Sequence, residues 1–241
     1  MPQPPSSATT ESPAGQITAN VAGIMRRIAH AAERAGRSPD LVTVVAVSKT
    51  FSAAGVAAAH EAGLRHFGEN WVQEAADKLP ALAGLSPRPV WHMIGHLQTN
   101  KVKQALELFD LIESVDSTHL GEAIAHRAGD RTIPVLLEVN VAEEPSKHGF
   151  RPSEVAAACA TLRQLPQLDV QGLMTVAPEV DDPEQVRPVF RELRRLRDQL
   201  GLAGLSMGMT GDFEVAIQEG ATLVRLGRAI FGARRTTATA G

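Results

Sequence analysis

The sequence predicts an α/β protein built as a single (β/α)8 TIM barrel, and three observations support this prediction. Eight short apolar runs of β-type composition alternate with amphipathic helical segments along the chain. Such alternation implies parallel strands joined by helical crossovers. Several joints between helix and strand carry a glycine, at Gly63, Gly204 and Gly220, which can end a helix in the left-handed conformation. Eight such units within roughly 200 residues fit a small member of this fold.

The first element is an extra N-terminal helix, because apolar residues recur at helical spacing from Ile17 to Ala32 and Gly36 can close the helix. The eight β-type runs follow in order, each with a helical segment after it: Val42–Val47, Arg65–Phe67, Val90–Ile94, Leu111–Val115, Val135–Val141, Val170–Val176, Leu205–Met209 and Leu223–Leu226. The helix around Phe190 carries arginines on its outer face. Acids interleave with them, which is typical of a solvated face rather than a nucleic-acid patch.

The chain is predicted to hold one domain after a tail. Residues 1–15 have neither a basic flank nor an apolar run, so they predict a disordered N-terminal tail rather than a secretory signal. No linker divides residues 16–235, which are predicted to form the barrel. An open doubly wound sheet is the competing fold. It is disfavoured because the glycine-rich dinucleotide fingerprint is missing after the first strand, where Ser48-Lys49-Thr50 stands.

The composition narrows the functional classes. Of the 241 residues, 44% are hydrophobic, which allows a sizeable core, and a net charge of −3 indicates neither a nucleic-acid partner nor an acidic membrane surface. No apolar run approaches the roughly 18–20 residues of a membrane span. The single cysteine, Cys159, excludes an intrachain disulfide and is typical of a small buried thiol. We therefore expect a soluble, cytoplasmic protein with no membrane or nucleic-acid partner.

Lys49 ends the apolar first strand, where chemistry collects in this architecture. An ammonium group there is costly to desolvate, so the site either supplies an anion or lowers the lysine pKa. A lysine with a lowered pKa is a nucleophile that forms a Schiff base with an aldehyde. The alternative is a lysine that extends to solvent at the mouth of the barrel.

The ends of the last two strands are the usual phosphate site of this fold. Ser206 and Gly208 after the seventh strand, and Gly227 and Arg228 after the eighth, offer a hydroxyl, room for close backbone approach and N–H groups at helix starts. Simple turns explain the glycines equally well, and Thr210 or Asp212 can cap the next helix.

Arg225 stands inside the apolar eighth strand, where a buried guanidinium needs an acceptor. One interpretation is a structural ion pair with a neighbouring strand. The other joins Arg225 to Lys49 and the phosphate loops, since the first and last strands of a closed barrel are neighbours. Lys49 and the phosphate loops suit a ligand that carries both an aldehyde and a phosphate. Pyridoxal 5'-phosphate carries both, and its ring nitrogen would face Arg225. A permanent cation at that nitrogen keeps it unprotonated and weakens the electron sink that most pyridoxal enzymes use.

Seven sequence blocks resemble those of the pyridoxal phosphate homeostasis protein family, in the same order and over nearly the whole folded chain. These blocks are Val45–Thr50, Phe67–Glu74, Trp91–Lys101, Ser146–Phe150, Gly172–Met174, Ser206–Met209 and Val224–Gly232. The resemblance implies a barrel related to the N-terminal domain of bacterial alanine racemase. It also implies a carrier or buffer of pyridoxal phosphate in vitamin B6 homeostasis, without established catalysis.

The resemblance implies a role for each matching residue. Lys49 holds the cofactor as an internal aldimine, and Arg225 faces the pyridine nitrogen. The phosphate is held by Ser206, Gly227 and Arg228, with Gly208 in the same cofactor-binding set, while Asn70, His92 and Met174 line the pocket. This chain has Arg228 where many relatives carry threonine or serine, and Thr210 where many carry serine.

Two other functions compete with a carrier. A pyridoxal-dependent amino-acid racemase needs a second base opposite lysine; the chain contains no tyrosine, although His92 or His96 can serve in principle. An aldolase-type enzyme for a small phosphorylated substrate uses the same lysine and phosphate loops, but has no bound chromophore. We expect no catalytic residues and a monomer, with pyridoxal phosphate as the bound ligand and pyridoxal-dependent apoenzymes as its recipients.

No metal site is expected from the histidines. His92 and His96 are four residues apart, but a strand followed by a turn does not place them on one helix face, and no carboxylate joins them in that block. His148 and the remaining histidines are scattered along the sequence.

Overall fold

Eight parallel strands close into a barrel in chain order in the computed structural model, which describes residues 12–233. The strands are β1 Thr43–Val47, β2 His66–Glu69, β3 Val90–Met93, β4 Leu111–Val115, β5 Ile133–Glu138, β6 Leu168–Met174, β7 Gly204–Ser206 and β8 Leu223–Leu226. Because β1 also pairs with β8, the sheet has no open edge. The predicted (β/α)8 barrel is confirmed, and the doubly wound alternative is wrong.

The helices surround the barrel and alternate with the strands. They are α1 Pro13–Arg34, α2 Ala53–Glu61, α3 Val72–Lys78, α4 Val102–Leu108, α5 Thr118–Ala128, α6 Val155–Leu162, α7 Arg187–Gln199, α8 Phe213–Gln218 and α9 Arg228–Phe231. The extra helix α1 starts earlier than predicted. The Ser12 side chain caps it by accepting a hydrogen bond from Gly15 N, so residues 13–15 of the predicted tail are helical. The rest of that tail, and residues 234–235 of the predicted domain, lie outside the described residues.

Helix α1 covers the seam where the first and last strands meet, and it packs against α2, α8 and α9. The Asn20 side chain donates a hydrogen bond to Ile230 O at 2.9 Å. Arg37, just after α1, donates to Ile217 O and Ala221 O at 2.7 and 2.9 Å. The N-terminal helix therefore holds the last βα unit in place through directional bonds as well as apolar burial.

The strands separate two cores. The larger one lies between the strands and the helices and contains Phe67, Ile112, Leu173 and Phe190. The smaller one fills the barrel interior with Leu111, Leu136 and Met174. Side chains alternate between these cores along each strand, so every second residue faces the interior. Among residues 12–233, no helix combines the length and apolar character that crossing a bilayer requires.

The predicted fifth and seventh strands extend well beyond the sheet. Val139–Val141 reads as a continuation of β5, but β5 ends at Glu138 and the chain then bridges to Phe150 through Val139 alone. The seventh strand was predicted to reach Met209, yet β7 ends at Ser206. At both places apolar residues pack into a loop, which a hydrophobic run alone does not distinguish from a strand.

Candidate ligand-binding site at the carboxyl-terminal mouth

Lys49 lies directly after β1, at the carboxyl-terminal mouth of the barrel. The next residue, Thr50, has a φ of 67°, which is costly for a β-branched side chain. The Thr50 N–H donates to Glu74 Oε1 at 2.5 Å and so supports this backbone conformation. Lys49 Nζ lies 5.9 Å from the centroid of the Trp71 ring. Local strain next to the amine is a common feature of functional sites.

A buried ion pair supports the turn that carries Lys49. Lys78 Nζ donates to Ser48 O, to Glu69 Oε1 and to Glu74 Oε1, each at 2.8 Å. The Ser48 hydroxyl also donates to Glu69 Oε1 at 2.6 Å. Burial raises the pKa of Glu69, while the bonds from Lys78 and Ser48 oppose that rise. Ser48 and Glu69 thus stabilise the turn after β1 from the helix-facing side of the barrel.

The loops after β7 and β8 each carry a glycine in a closely packed position. Gly208 has a φ of 93°, and a Cβ there would lie 2.5 Å from Ala216 Cβ. A Cβ on Gly227 would lie 3.3 Å from Val47 O, close to the strand that carries Lys49. Within residues 12–233, the N–H groups of Gly208, Thr210 and Gly211 donate to no protein acceptor. These free donors follow β7, and β8 lies between β7 and the strand that precedes Lys49, so they share the mouth with the Lys49 amine, an arrangement suited to an anion.

Arg225 lies inside the barrel beneath these loops and is only 4% exposed. It donates to Ser206 Oγ at 2.5 Å and to Thr175 O at 2.6 Å. Ser206 in turn donates to Glu113, which is fully buried. The interpretation of Arg225 as half of a direct structural ion pair is therefore wrong, because a hydroxyl separates it from the carboxylate.

Glu113 is the counter-charge that sequence reasoning missed. Burial alone would raise the pKa of Glu113, but the hydrogen bond from His92 and the charges of His92 and Arg225 hold it below its ordinary value. His92 Nδ1 lies 2.6 Å from Glu113 Oε1. An acid inside the apolar run Leu111–Val115 is the signal that marks this residue in the sequence, since an unpaired buried carboxylate is rare.

The predicted site residues divide into two layers. Lys49, Asn70, Gly208, Gly227 and Arg228 all follow strand ends and share the carboxyl-terminal mouth. Met174 ends β6 and is fully buried in the interior core, while the Arg228 side chain is exposed and lies 4.0 Å from Glu179.

His92 and Ser206 occupy the deeper layer, which differs from their predicted positions. His92 contacts Glu113 and His66 and lines a cavity at the opposite end of the barrel, and the Ser206 hydroxyl is engaged by Arg225 and Glu113. The reason is the two-residue period of a strand, which places His92 one step below Ile94 on the interior face.

Glu138 ends β5 and faces the interior near the same mouth. Burial and the neighbouring charge of Asp116 raise the pKa of Glu138 to about 7, against the opposing effect of Arg225. This carboxyl group therefore changes charge near neutral pH.

His96, Asp116 and His148 come together on the loops after β3, β4 and β5, with ligand-type atoms within 4.8 Å of one another. His148 is far from His96 along the sequence, but the fold brings the two side chains together. His96 Nδ1 lies 2.8 Å from Asp116 Oδ2, and the two imidazole rings stack at 4.0 Å with an interplanar angle of 13°. Lone pairs in nearly parallel planes do not converge on one ion. The arrangement is therefore a hydrogen bond between His96 and Asp116 with His148 stacked on His96, its Nδ1 3.8 Å from Asp116 Oδ2, rather than an assembled metal centre.

The amine on the first strand, the free N–H groups after the seventh strand and the buried guanidinium of the eighth define a (β/α)8-barrel protein of the class that binds a phosphorylated small molecule at its carboxyl-terminal mouth. Comparison with known proteins narrows this class. The family described as alanine racemase, N-terminal domain, matches residues 19–235.

Curated relatives carry the name pyridoxal phosphate homeostasis protein, and two of them illustrate the similarity. That of Aquifex aeolicus is 44% identical over 88% of this chain and 96% of its own length. That of Pseudomonas aeruginosa is 44% identical over 90% of this chain and 96% of its own. The chain belongs to the pyridoxal phosphate homeostasis protein family, within the wider family of alanine racemase N-terminal domains.

Solved structures agree with this assignment. PipY of Synechococcus elongatus with pyridoxal phosphate bound is 37% identical, covers 90% of this chain and 100% of its own, and superposes with a TM-score of 0.78. A protein from Bifidobacterium adolescentis described as unknown reaches a TM-score of 0.86 at 39% identity, over 93% of this chain and 98% of its own. A histidine racemase from Leuconostoc mesenteroides, at 19% identity and a TM-score of 0.71, shares the fold.

Proposed function

We propose that the protein binds pyridoxal 5'-phosphate at its carboxyl-terminal mouth and serves as a carrier or buffer in vitamin B6 homeostasis, not as an enzyme. The observation that carries the proposal is the placement of Lys49 beside the Gly227 turn, through the pairing of β1 and β8. The names of the relatives and the pyridoxal phosphate bound to PipY support it.

The described residues fit the parts of this cofactor. The phosphate suits the N–H groups of the loop from Gly208 to Gly211 and the Gly227 turn, with the exposed Arg228 guanidinium as a second cation. The aldehyde carbon suits the Lys49 amine, and Asn70 and Met174 border the ring. When bound, the cofactor supplies an aldehyde that forms a reversible imine with an amine.

Arg225 is proposed to face the pyridine nitrogen with its remaining N–H donors. Because two of its donors are held by Ser206 and Thr175, the guanidinium is fixed in orientation. A guanidinium does not release a proton at physiological pH, so it does not protonate the ring nitrogen. We place Ser206 and His92 beneath Arg225, where they act through it rather than on the cofactor directly.

This arrangement favours a carrier over a racemase. Racemisation by two bases needs a proton acceptor on the face opposite lysine, and the sequence contains no tyrosine. We propose that the protein is a cytoplasmic monomer and that pyridoxal-dependent apoenzymes receive its cofactor. The exposed Trp71 and Met209 on the rim leave the site open to such a partner.

The test is covalent mapping of the cofactor. The purified protein mixed with pyridoxal phosphate should show a visible absorbance band that borohydride removes, leaving a pyridoxyl group on Lys49 in peptide mass spectrometry. Lys49→Ala should lose the visible band, whereas the control Lys101→Ala should keep it. Failure of the native protein to take up cofactor would refute carriage and favour an aldolase-type barrel. Saturable racemisation of alanine or serine would refute the absence of catalysis.

A further inference from the structure

A second cavity opens at the amino-terminal end of the barrel, opposite Lys49. It encloses about 750 Å³, and Val90, Leu111 and Leu136 form part of its apolar wall. Two imidazoles, those of His66 and His92, also line it. Chemistry in this fold is found at the other mouth, so paired histidines at this end call for a physical explanation.

A continuous series of side-chain contacts leads from this cavity to Arg225. His66 Nδ1 lies 2.9 Å from His92 Nε2, and His92 Nδ1 lies 2.6 Å from Glu113 Oε1. The other oxygen of Glu113 accepts from Ser206, whose Oγ accepts from Arg225. We name these five residues the interior polar chain. Its members beyond His66 are at most 4% exposed, so water reaches it mainly at His66.

The donors and acceptors fix where a proton can enter. Glu113 is ionised and accepts at both oxygens, so His92 Nδ1 and the Ser206 hydroxyl both donate. When both imidazoles are neutral, His92 Nε2 must then accept from His66 Nδ1–H. His66 Nε2 has no partner among the described residues and is the acceptor at the cavity end.

Proton uptake at this atom moves charge inward. A proton from cavity water binds His66 Nε2, and the Nδ1 proton of His66 passes to His92 Nε2. The product is a neutral His66 and an imidazolium at His92, paired with the Glu113 carboxylate. One proton enters, the Nδ1–H bond of His66 is replaced by an Nε2–H bond of His92, and the negative charge that faces Arg225 is partly neutralised.

The charges around His66 come from several elements. Asp110 and Glu113, before and within β4, favour its protonation, whereas His92 on β3 opposes it. Arg225 on β8 and Arg163 on the cavity rim are further cations, and Asp169 on that rim is a further acid. Asp110 is itself paired with Arg88 at 2.9 Å. Burial is the main cause that lowers the pKa of His66, and the charge of His92 lowers it further. Proton uptake at His66 therefore occurs on the acid side of neutrality.

We propose that His66 is a proton-uptake site at the amino-terminal mouth, and that His66 and His92 are positioning residues that set, through Glu113, how strongly Arg225 acts on a cofactor at the other mouth. The second part rests on the proposed function, in which Arg225 faces the ring nitrogen. Protonation of the pair leaves Arg225 less compensated, so the absorbance of the bound cofactor responds to pH through the barrel.

The first test needs no cofactor. Nitrogen-15 NMR of the histidines in the cofactor-free protein should show a proton entering through His66 on the acid side of neutrality while the fold persists. Two imidazoles that gain no proton before the protein unfolds would overturn the proposal. This test uses the native sequence, so its outcome does not depend on whether a variant folds.

The second test follows the visible band of the loaded protein as pH is lowered. His66→Gln should abolish the acid step or shift its midpoint by about one pH unit or more, because an amide takes up no proton. His60→Gln is the matched control, since His60 is buried outside the barrel with Nε2 bonded to Pro87 O at 2.8 Å. Superimposable curves for the native protein and His66→Gln would overturn the proposal. A native protein without a visible band would instead refute the proposed function.

Discussion

Glu113 and Arg225 stand on opposite strands of the barrel, β4 and β8, and the hydroxyl of Ser206 joins them across the interior. The carboxylate and the guanidinium are each nearly inaccessible to solvent. Each therefore depends on the other for compensation of its charge, although they form no direct salt bridge.

We predict that Glu113→Gln costs more stability than Ser206→Ala. The first removes the counter-charge of a buried guanidinium, which typically costs about 3 kcal/mol or more. The second removes a bridging hydroxyl but keeps both charges, at about 1–2 kcal/mol. Urea denaturation of the cofactor-free variants at neutral pH measures both changes. An equal or smaller loss for Glu113→Gln would show that Arg225 is compensated elsewhere, by Glu138 or Asp212.

Gly208 offers a second prediction, with Gly211 as its internal control. Gly208→Ala places a Cβ against Ala216 and Phe213 at a φ of 93°, whereas a Cβ on Gly211 meets nothing within 4 Å. The forced backbone shift should cost about 1–3 kcal/mol and displace the N–H donors of this loop. We therefore expect Gly208→Ala to weaken cofactor binding at least tenfold in equilibrium dialysis. Gly211→Ala should bind within about twofold of the native protein. Equal affinities for the two variants would argue against a phosphate site in this loop.

Glu138 provides a prediction on pH. Its pKa rises from 4.5 to about 7 on folding, so between these values the folded state holds more protons than the unfolded state. The free energy of unfolding therefore falls as pH increases through this window. Glu138→Gln removes the titration and should be more stable than the native protein above pH 7, by about 1–3 kcal/mol. Near the unfolded pKa the two proteins should differ little.

The measurement is urea denaturation of the cofactor-free proteins at an acid pH and a mildly alkaline pH. Glu122→Gln, on the exposed face of α5, is the control and should leave the pH dependence unchanged. A Glu138→Gln variant that gains no stability at the higher pH would mean that the Glu138 carboxyl stays ionised at little cost.

The order of elements could be predicted because each apolar run faces a core on at least one side. The position of Lys49, Gly208 and Gly227 at one mouth could be predicted because strand ends converge there, whatever the register of the sheet. The carboxyl-terminal ends of β5 and β7 were harder to predict, since apolar residues such as Val139 and Met207 pack equally well in a loop.

The partners inside the barrel could not be predicted. Whether the residue that meets Arg225 comes from β1, β4 or β7 depends on how the closed sheet staggers, and a sequence does not show that stagger. The contacts of His92 with His66 and Glu113 were therefore not predicted, and Glu113 was overlooked although it stands in an apolar strand. Likewise, His96 and His148 are far apart in sequence, and only the loops around Asp116 bring them together.

Pairing of β1 with β8 also has a consequence for biosynthesis. The Gly227 turn is translated long after Lys49, because most of the barrel lies between them in the sequence. A nascent chain thus carries the reactive nitrogen long before any anchor for a phosphate exists. In the proposed function, retention of the cofactor requires that translation has passed the Gly227 turn, and a product truncated before that turn would have the lysine without the means to retain its ligand.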